Sequence, residues 1–489
     1  MNVLSIYGIA AYIIALFVLS AFFVKKALNS FEEYSLCGRS LSFVYIAFTY
    51  MGTWIGGGTI IGLSSSAYEN GVGQYWVFAV PYLTGYLFAV LFIARIRSLN
   101  QHSIGDMLAL RYPEHRQIIR IPAAVGIIIR NVTMIGMQFS ALSLLITYSF
   151  NIDRNLAVLI TFLVITSYTA LSGLWGVVAT DIFQGFLQTA GLLALLYFAL
   201  KLGGGMPGIY SFYHSIGKED FLYLLGDKDW LRQIAVYFVS FGIFFLMSDQ
   251  TDWERIYSAK SDRTAFWGFL VPLTVTLLIL LVPAYLGVFQ RALIAGSIDS
   301  SYGVYSMIME VLSPKAAVFI LISIFAAIMS SADSYMLATG VVFSNDIVKK
   351  FLNPKANDRE LIFWTRFFII ISGAIGFAFA LNIENIIFLW LTGIGFGASL
   401  VLPAYLFAWF SKRVNTTGVL AGIAAGAFYC ALWLVGLLSF DVYKIFIGML
   451  LNAAATMSVS LLTAGPKPDA VLETYYWGPK FKDVENIPR

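Results

Sequence analysis

The chain has 489 residues, 59% of them hydrophobic and 12% charged, with a mean hydropathy of +0.80. A soluble protein of this length carries roughly a quarter charged residues, so composition excludes a water-soluble globule and points to a polytopic membrane protein. Two cysteines, Cys37 and Cys430, and three scattered histidines exclude a disulfide framework and a Cys/His metal pattern, and the net charge of +4 has meaning only through where it falls.

The first apolar run, approximately residues 3–24, is followed by Lys25-Lys26. A cleaved signal peptide carries its basic residues ahead of the run, so this segment reads as a retained helix with its N-terminus outside. On the ruler of about 20 apolar residues per crossing, thirteen segments are expected, at approximately 3–24, 41–66, 72–95, 117–147, 155–172, 176–200, 231–258, 264–290, 315–345, 360–381, 386–410, 415–437 and 441–463. With the N-terminus outside, about 22 of the 31 Lys and Arg residues fall in inner loops or the tail. The basic excess is an orientation signal, since no run reaches the density of a lipid-binding patch.

Segment 41–66 contains Thr53-Trp54-Ile55-Gly56-Gly57-Gly58. Each interior glycine costs a helix about 1 kcal/mol relative to alanine, so this run predicts an unwound break. Segment 231–258 ends in Ser248-Asp249-Gln250-Thr251-Asp252-Trp253-Glu254-Arg255. These are the second and seventh segments, and an offset of five inverts one five-helix unit relative to the other. Matched interruptions in inverted repeats mark the binding site of many secondary transporters. Non-helical backbone at that depth is tolerated only where it lines a cavity or is buried in protein. The competing role for such glycines is close helix packing.

Ionisable residues within spans are functional or paired. Asp252, Glu254 and Arg255 fall at the expected inner end of their segment, where a solvated gate or ion pair is the simpler reading. Arg130, Asp181, Asp249 and Asp333 sit deeper. Ala327, Ser330 and Ser331 share one helix face and offer hard oxygens, although paired serines often bond their own backbone. Asp181 has three open roles: a cation ligand, a proton carrier or an ion-pair partner. Arg130 precedes Met134 by one turn on the same face. It is placed either to hold a substrate carboxylate or to pair with Asp249.

Three stretches, Thr169 to Asp181, Ser248 to Lys260 and Met329 to Ser334, resemble the sodium:solute symporter family, and the resemblance spans about residues 1–465. It implies an all-α LeuT-type fold, a 5+5 inverted repeat with one extra N-terminal and two extra C-terminal helices. The expected organisation is 1–40 as the extra helix and inner loop, 41–200 and 231–410 as the two repeats, and 201–230 as an outer loop. Residues 411–465 follow as the last two helices and 466–489 as a cytoplasmic tail.

The resemblance further implies a sodium site from Gly52, Ile55, Ala327, Ser330 and Ser331. Asp181, Asp333 and Ser334 match a second cation or proton site, with an acid at 333 where a hydroxyl is usual. Substrate contacts carry over to Trp54, Thr59, Met134 and Phe245, with Arg130 beside them and a weaker match at Gln74, Trp76 and Phe78. The Thr-Trp-Ile-Gly-Gly-Gly run resembles the choline-carrier branch, where Trp54 would face a quaternary ammonium by cation–π attraction. Met134 stands where a third-helix aromatic would complete such a cage. The expected function is sodium-coupled uptake of an amine, quaternary ammonium or zwitterionic solute across the cell membrane, with a proton-coupled carrier or a transporter-like sensor as rivals. Expected partners are the solute, sodium and membrane lipid. No nucleic acid, obligate protein partner or enzyme activity is expected.

Overall fold

The structure, a computed structural model, describes residues 3–112, 116–226, 231, 249–294, 300–383, 385–438 and 447–465. Among these the only bridge joins Leu41 to Ala259, and the rest is helix, turn and loop. Among the described residues, eight helices are long and apolar enough to cross a membrane, and two bent pairs raise the number to ten. Three of the thirteen expected segments are not separate spans among the described residues. Segments 155–172 and 176–200 lie in one helix, Arg154–Leu202. Most of segment 231–258 lies outside the described residues, and segment 441–463 is represented by Ile447–Leu462, 16 residues long.

Arg154–Leu202 has 49 residues, about 73 Å at helical rise against roughly 30 Å of hydrocarbon. A straight helix of that length would leave half its apolar surface in water. Gly173 resolves this with φ 54° and ψ −148°, a kink that divides the helix into two apolar lengths. A Cβ there would overlap the carbonyl of Tyr34, whose hydroxyl donates to the Ala170 carbonyl one turn earlier (3.0 Å). Only glycine satisfies both the backbone and the packing.

The second segment breaks as its glycines predict. Phe43–Trp54 ends at Ile55 (φ −102°, ψ 89°), and Gly58–Asn70 leaves at 51° to it. Ile386–Leu400 and Leu402–Phe410 meet at 46°, with Pro403 opening the second piece, where its missing N–H costs no helical bond. Pro314–Leu352, here called the serine helix, is the centre of the bundle: its apolar window is 83% buried, against 22% for the N-terminal helix at the periphery. It packs against Arg154–Leu202, Arg116–Phe150 and Phe43–Trp54. The Leu41–Ala259 bridge staples the entrance of the first broken helix to the end of Gln250–Ser258.

Candidate cation and substrate site

The break at residues 55–57 frees backbone groups that need partners. The Gly57 amide donates to the Gln138 side-chain carbonyl (2.8 Å), and the Gly56 amide donates to Thr59 Oγ1 (2.8 Å). Thr59 in turn donates to the Gly56 carbonyl (2.9 Å), so its hydroxyl is spent on the break itself. A Cβ on Gly56 would overlap Ser331 Oγ and lie 2.8 Å from Gln138 Nε2. The glycine is therefore what brings the broken backbone against the serine helix.

That approach gathers neutral oxygens from both elements. Ser330 Oγ donates to the Gly52 carbonyl (2.8 Å) and the Ala327 carbonyl (3.1 Å). Ser331 Oγ lies 3.0 Å from the Thr53 carbonyl, and 3.2 Å from those of Gly52 and Ala327. Bonding to their own helix is thus present, but both hydroxyls also reach across to the break. Carbonyl and hydroxyl oxygens are hard donors suited to a small hard cation, and a hydroxyl can rotate its proton away and turn lone pairs to the ion. The residues present fit sodium. Ile55 lies at the break, its amide bonded to the Met51 carbonyl (3.1 Å).

Asp181, Asp333 and Ser334 also come together, around a guanidinium. Arg255 donates to Ser334 Oγ (2.6 Å), Thr53 Oγ1 (2.7 Å) and the Thr251 carbonyl (2.9 Å), and lies 3.9 Å from Asp181. Thr49 donates to Asp181, and the Tyr168 hydroxyl donates to Asp333 (2.8 Å). The sequence reading of a solvated end for Asp252, Glu254 and Arg255 is corrected here. All three are fully buried, because Gln250–Ser258 starts at Asp249, which caps the Thr251 amide (2.9 Å), and runs inside the bundle.

Trp54 turns away from the serines. Its ring packs with Tyr50, Phe269 and Tyr82 at centroid distances of 4.8, 5.3 and 5.7 Å, and its indole N–H donates to Asp252 Oδ1 (3.0 Å). Met134 is buried. Arg130 donates to Asp249 Oδ2 at 2.6 Å with both side chains buried, so its charge is met within the protein. Of the weaker matches, Gln74 accepts from Ser66 (2.9 Å), Trp76 donates to the Leu224 carbonyl (3.0 Å), and Phe78 stacks on Trp390 at 5.2 Å. Phe245 lies outside the described residues.

Sequence reasoning missed Thr49, Thr53, Gln138 and Tyr168. Gln138 had a signal: Arg130, Met134 and Gln138 recur at i, i+4 and i+8 on one helix face.

The sequence profile of the sodium:solute symporter family matches residues 34–426. The chain belongs to that family. The high affinity choline transporter 1 of Homo sapiens is 27% identical over 422 residues, covering 80% of this chain and 69% of that protein. The osmoregulated proline transporter OpuE of Bacillus subtilis (strain 168) is 24% identical over 477 residues, covering 95% and 96%. A solved Na+-coupled sialic acid symporter, in a substrate-bound outward-open state, superposes with a TM-score of 0.82 at 16% identity, covering 95% of this chain and 99% of that one. The LeuT-type fold and membership of a sodium-coupled transporter family follow. This symporter is a multi-pass membrane protein that couples sodium to a small solute, and it is not an enzyme.

Proposed function

We propose that this symporter takes up a solute bearing an amine, quaternary ammonium or zwitterionic group, by alternating access, with its N-terminus outside and its tail in the cytoplasm. Sodium binds between Gly52, Ile55, Ala327, Ser330 and Ser331, and the solute binds beside Trp54, with Thr59, Met134 and Phe245 completing the site. Arg130, paired with Asp249, shapes that site through the acid it holds. One observation carries the ion site: both serine hydroxyls span from their own helix to the carbonyls of the broken one (2.8–3.2 Å). An ion there would tie the two elements together and so favour one state of the carrier. Choline and proline, the solutes in the names of two relatives, both carry a cationic nitrogen, which an indole face attracts. An inside-negative potential adds about 2.3 kcal/mol per charge per 100 mV to inward movement.

The test is uptake of labelled choline, betaine and proline into proteoliposomes under separate sodium and proton gradients. Ser330→Ala with Ser331→Ala should raise the sodium concentration for half-maximal uptake about ten-fold or more, since each lost ligand bond is worth roughly 1 kcal/mol. An unshifted sodium dependence would sink the ion site. Asp181, Asp333 and Ser334 form the second place where a cation or proton acts, with Arg255 already supplying one positive charge there. Uptake driven by a proton gradient alone would favour that cluster as the coupling site.

A further inference from the structure

We propose that Asp252 is the counter-ion for the positive charge of the transported solute. This rests on the solute reading above and names the residue that enforces it. Asp252 is fully buried in the first turn of Gln250–Ser258, against the first broken helix. Its Oδ1 accepts from the Trp54 indole (3.0 Å), which fixes the carboxylate plane, and its Oδ2 has no hydrogen-bond partner among the described residues. An unpaired carboxylate in a low-dielectric interior is strongly unfavourable, so a place held for a cation is the economical explanation of its position.

The neighbouring guanidiniums make their hydrogen bonds to other groups and act on Asp252 only through space. Arg130 donates to Asp249, and Arg255 donates to Ser334, Thr53 and the Thr251 carbonyl near Asp181. At this depth the described residues place five fully buried acids (Asp181, Asp249, Asp252, Glu254, Asp333) against two fully buried arginines (Arg130, Arg255).

Sodium is also placed away from Asp252. The ion site gathers where Gly52 approaches Ser330, whereas the Trp54 side chain two residues on meets Tyr50, Tyr82, Phe269 and Asp252. Two helical residues turn about 200°, so one helix end presents the ion site and the Trp54 site on opposite faces. Around Asp252 the chemistry is one open carboxylate oxygen beside aromatic rings. It recognises a cationic nitrogen by charge and, for N–H-bearing amines, by a charge-assisted hydrogen bond. A neutral sugar offers it only hydroxyl donors without the charge, and a carboxylate anion is repelled.

The experiment uses the purified full chain with sodium present. Affinities of choline, betaine and proline are measured beside that of 3,3-dimethylbutan-1-ol, the uncharged isostere of choline, for the unaltered protein, Asp252→Asn and Asp252→Glu. Sodium affinity is measured separately with no solute. The proposal expects the isostere to bind about ten-fold or more weakly than the best solute with a cationic nitrogen, as loss of the desolvated charge and its cation–π attraction implies. It also expects Asp252→Asn to lose a similar factor for that solute with sodium affinity kept, and Asp252→Glu to recover part of it. Equal binding of the isostere overturns the proposal even where Asp252→Asn does not fold. Undiminished solute affinity in Asp252→Asn overturns the role of Asp252 and leaves the solute class standing. Failure of the unaltered protein to bind any of the three cationic solutes removes the class, and the counter-ion with it.

Discussion

At the scale of single residues, spacing made the serine pair legible, whereas its partner Gly52 came only from the family resemblance. Spacing put Ala327, Ser330 and Ser331 on one face, and that periodicity survives any fold containing the helix. Which atoms face them depends on a partner nearly three hundred positions away in the chain, which no local pattern contains. Asp252 and Arg255 were misplaced for the opposite reason: their burial follows from where one short helix begins, and helix boundaries are weakly encoded. Gly56 offers the sharpest single-residue test. Gly56→Ala sets a methyl group into Ser331 Oγ and against Gln138 Nε2, so Ser331 and Gln138 must turn aside or the broken segment withdraw, and either disturbs the oxygens offered to the ion. Sodium affinity should fall about ten-fold or more, corresponding to a loss of roughly 1.4 kcal/mol, with little change in overall helix content. Sodium titration of the purified variant by thermal shift reads this directly. An unchanged midpoint would mean that the close approach is not needed for the ion.

At the scale of elements, breaks were easier to see than continuity. The glycine run announced the interruption after Trp54 because its cost falls within a few residues. Ser172-Gly173-Leu174-Trp175 was likewise read as the gap between two spans. The structure joins the two helical lengths without a loop and concentrates the change of direction at Gly173, where Tyr34 packs closely. Gly173→Ala combines an unfavourable positive φ with overlap on the Tyr34 carbonyl. Strained backbone of this kind costs on the order of 1–3 kcal/mol, and overlap adds to it, so thermal unfolding in detergent should move down by several degrees. Tyr34→Phe, which removes the hydroxyl that donates to Ala170 and keeps the ring against Gly173, should cost less. If the two variants melt alike, the kink is held by that hydroxyl rather than by the glycine.

At the scale of the whole molecule, hydropathy gave the many-span class, since the bilayer imposes one length rule on every span, and the motif resemblance gave the LeuT-type architecture. The polar network linking several elements on the basic face was invisible, because its members come from three separate stretches of chain. Ser103 and Arg120 both donate to Asp346 (2.9 and 3.0 Å), Arg120 also meets Asp106, and Asn345 donates to Asp106 (2.8 Å). His102 sits at its edge, stacked on Phe31. Burial, opposed by Asp106 and aided by Arg39 and Lys349, lowers its imidazole pKa from 6.5 to about 4. The unfolded chain takes up a proton there as the pH falls below about 6.5 and the folded chain does not. Stability present above pH 6.5 is therefore lost progressively toward pH 4. His102→Asn should flatten the fall in unfolding temperature between pH 7.5 and 5, and an identical fall would assign it to other groups.

The same network has a consequence for movement. Gln250 belongs to the short helix that carries Asp252 and Arg255, and its side chain holds the loop before Ile104–Arg111 by two bonds. Nε2 donates to the His102 carbonyl (3.0 Å), and Oε1 accepts from the Ile104 amide (3.0 Å). That loop is in turn anchored to the serine helix through Ser103 and Asp346. Gln250 is therefore a link between the Asp252-bearing element and the central helix on the basic face. Under alternating access, opening this face must break such links, and removing one shifts the population toward the open state by its net worth, about 1 kcal/mol per bond. Cys37 supplies the readout, since it is buried beside Phe31–Leu36 on this face and a maleimide reaches it only when the face opens. In a Cys430→Ser background, Gln250→Ala should raise the rate of Cys37 labelling several-fold without sodium, and saturating sodium should suppress much of the rise. A rate that Gln250→Ala leaves unaltered would show that the link does not gate this face.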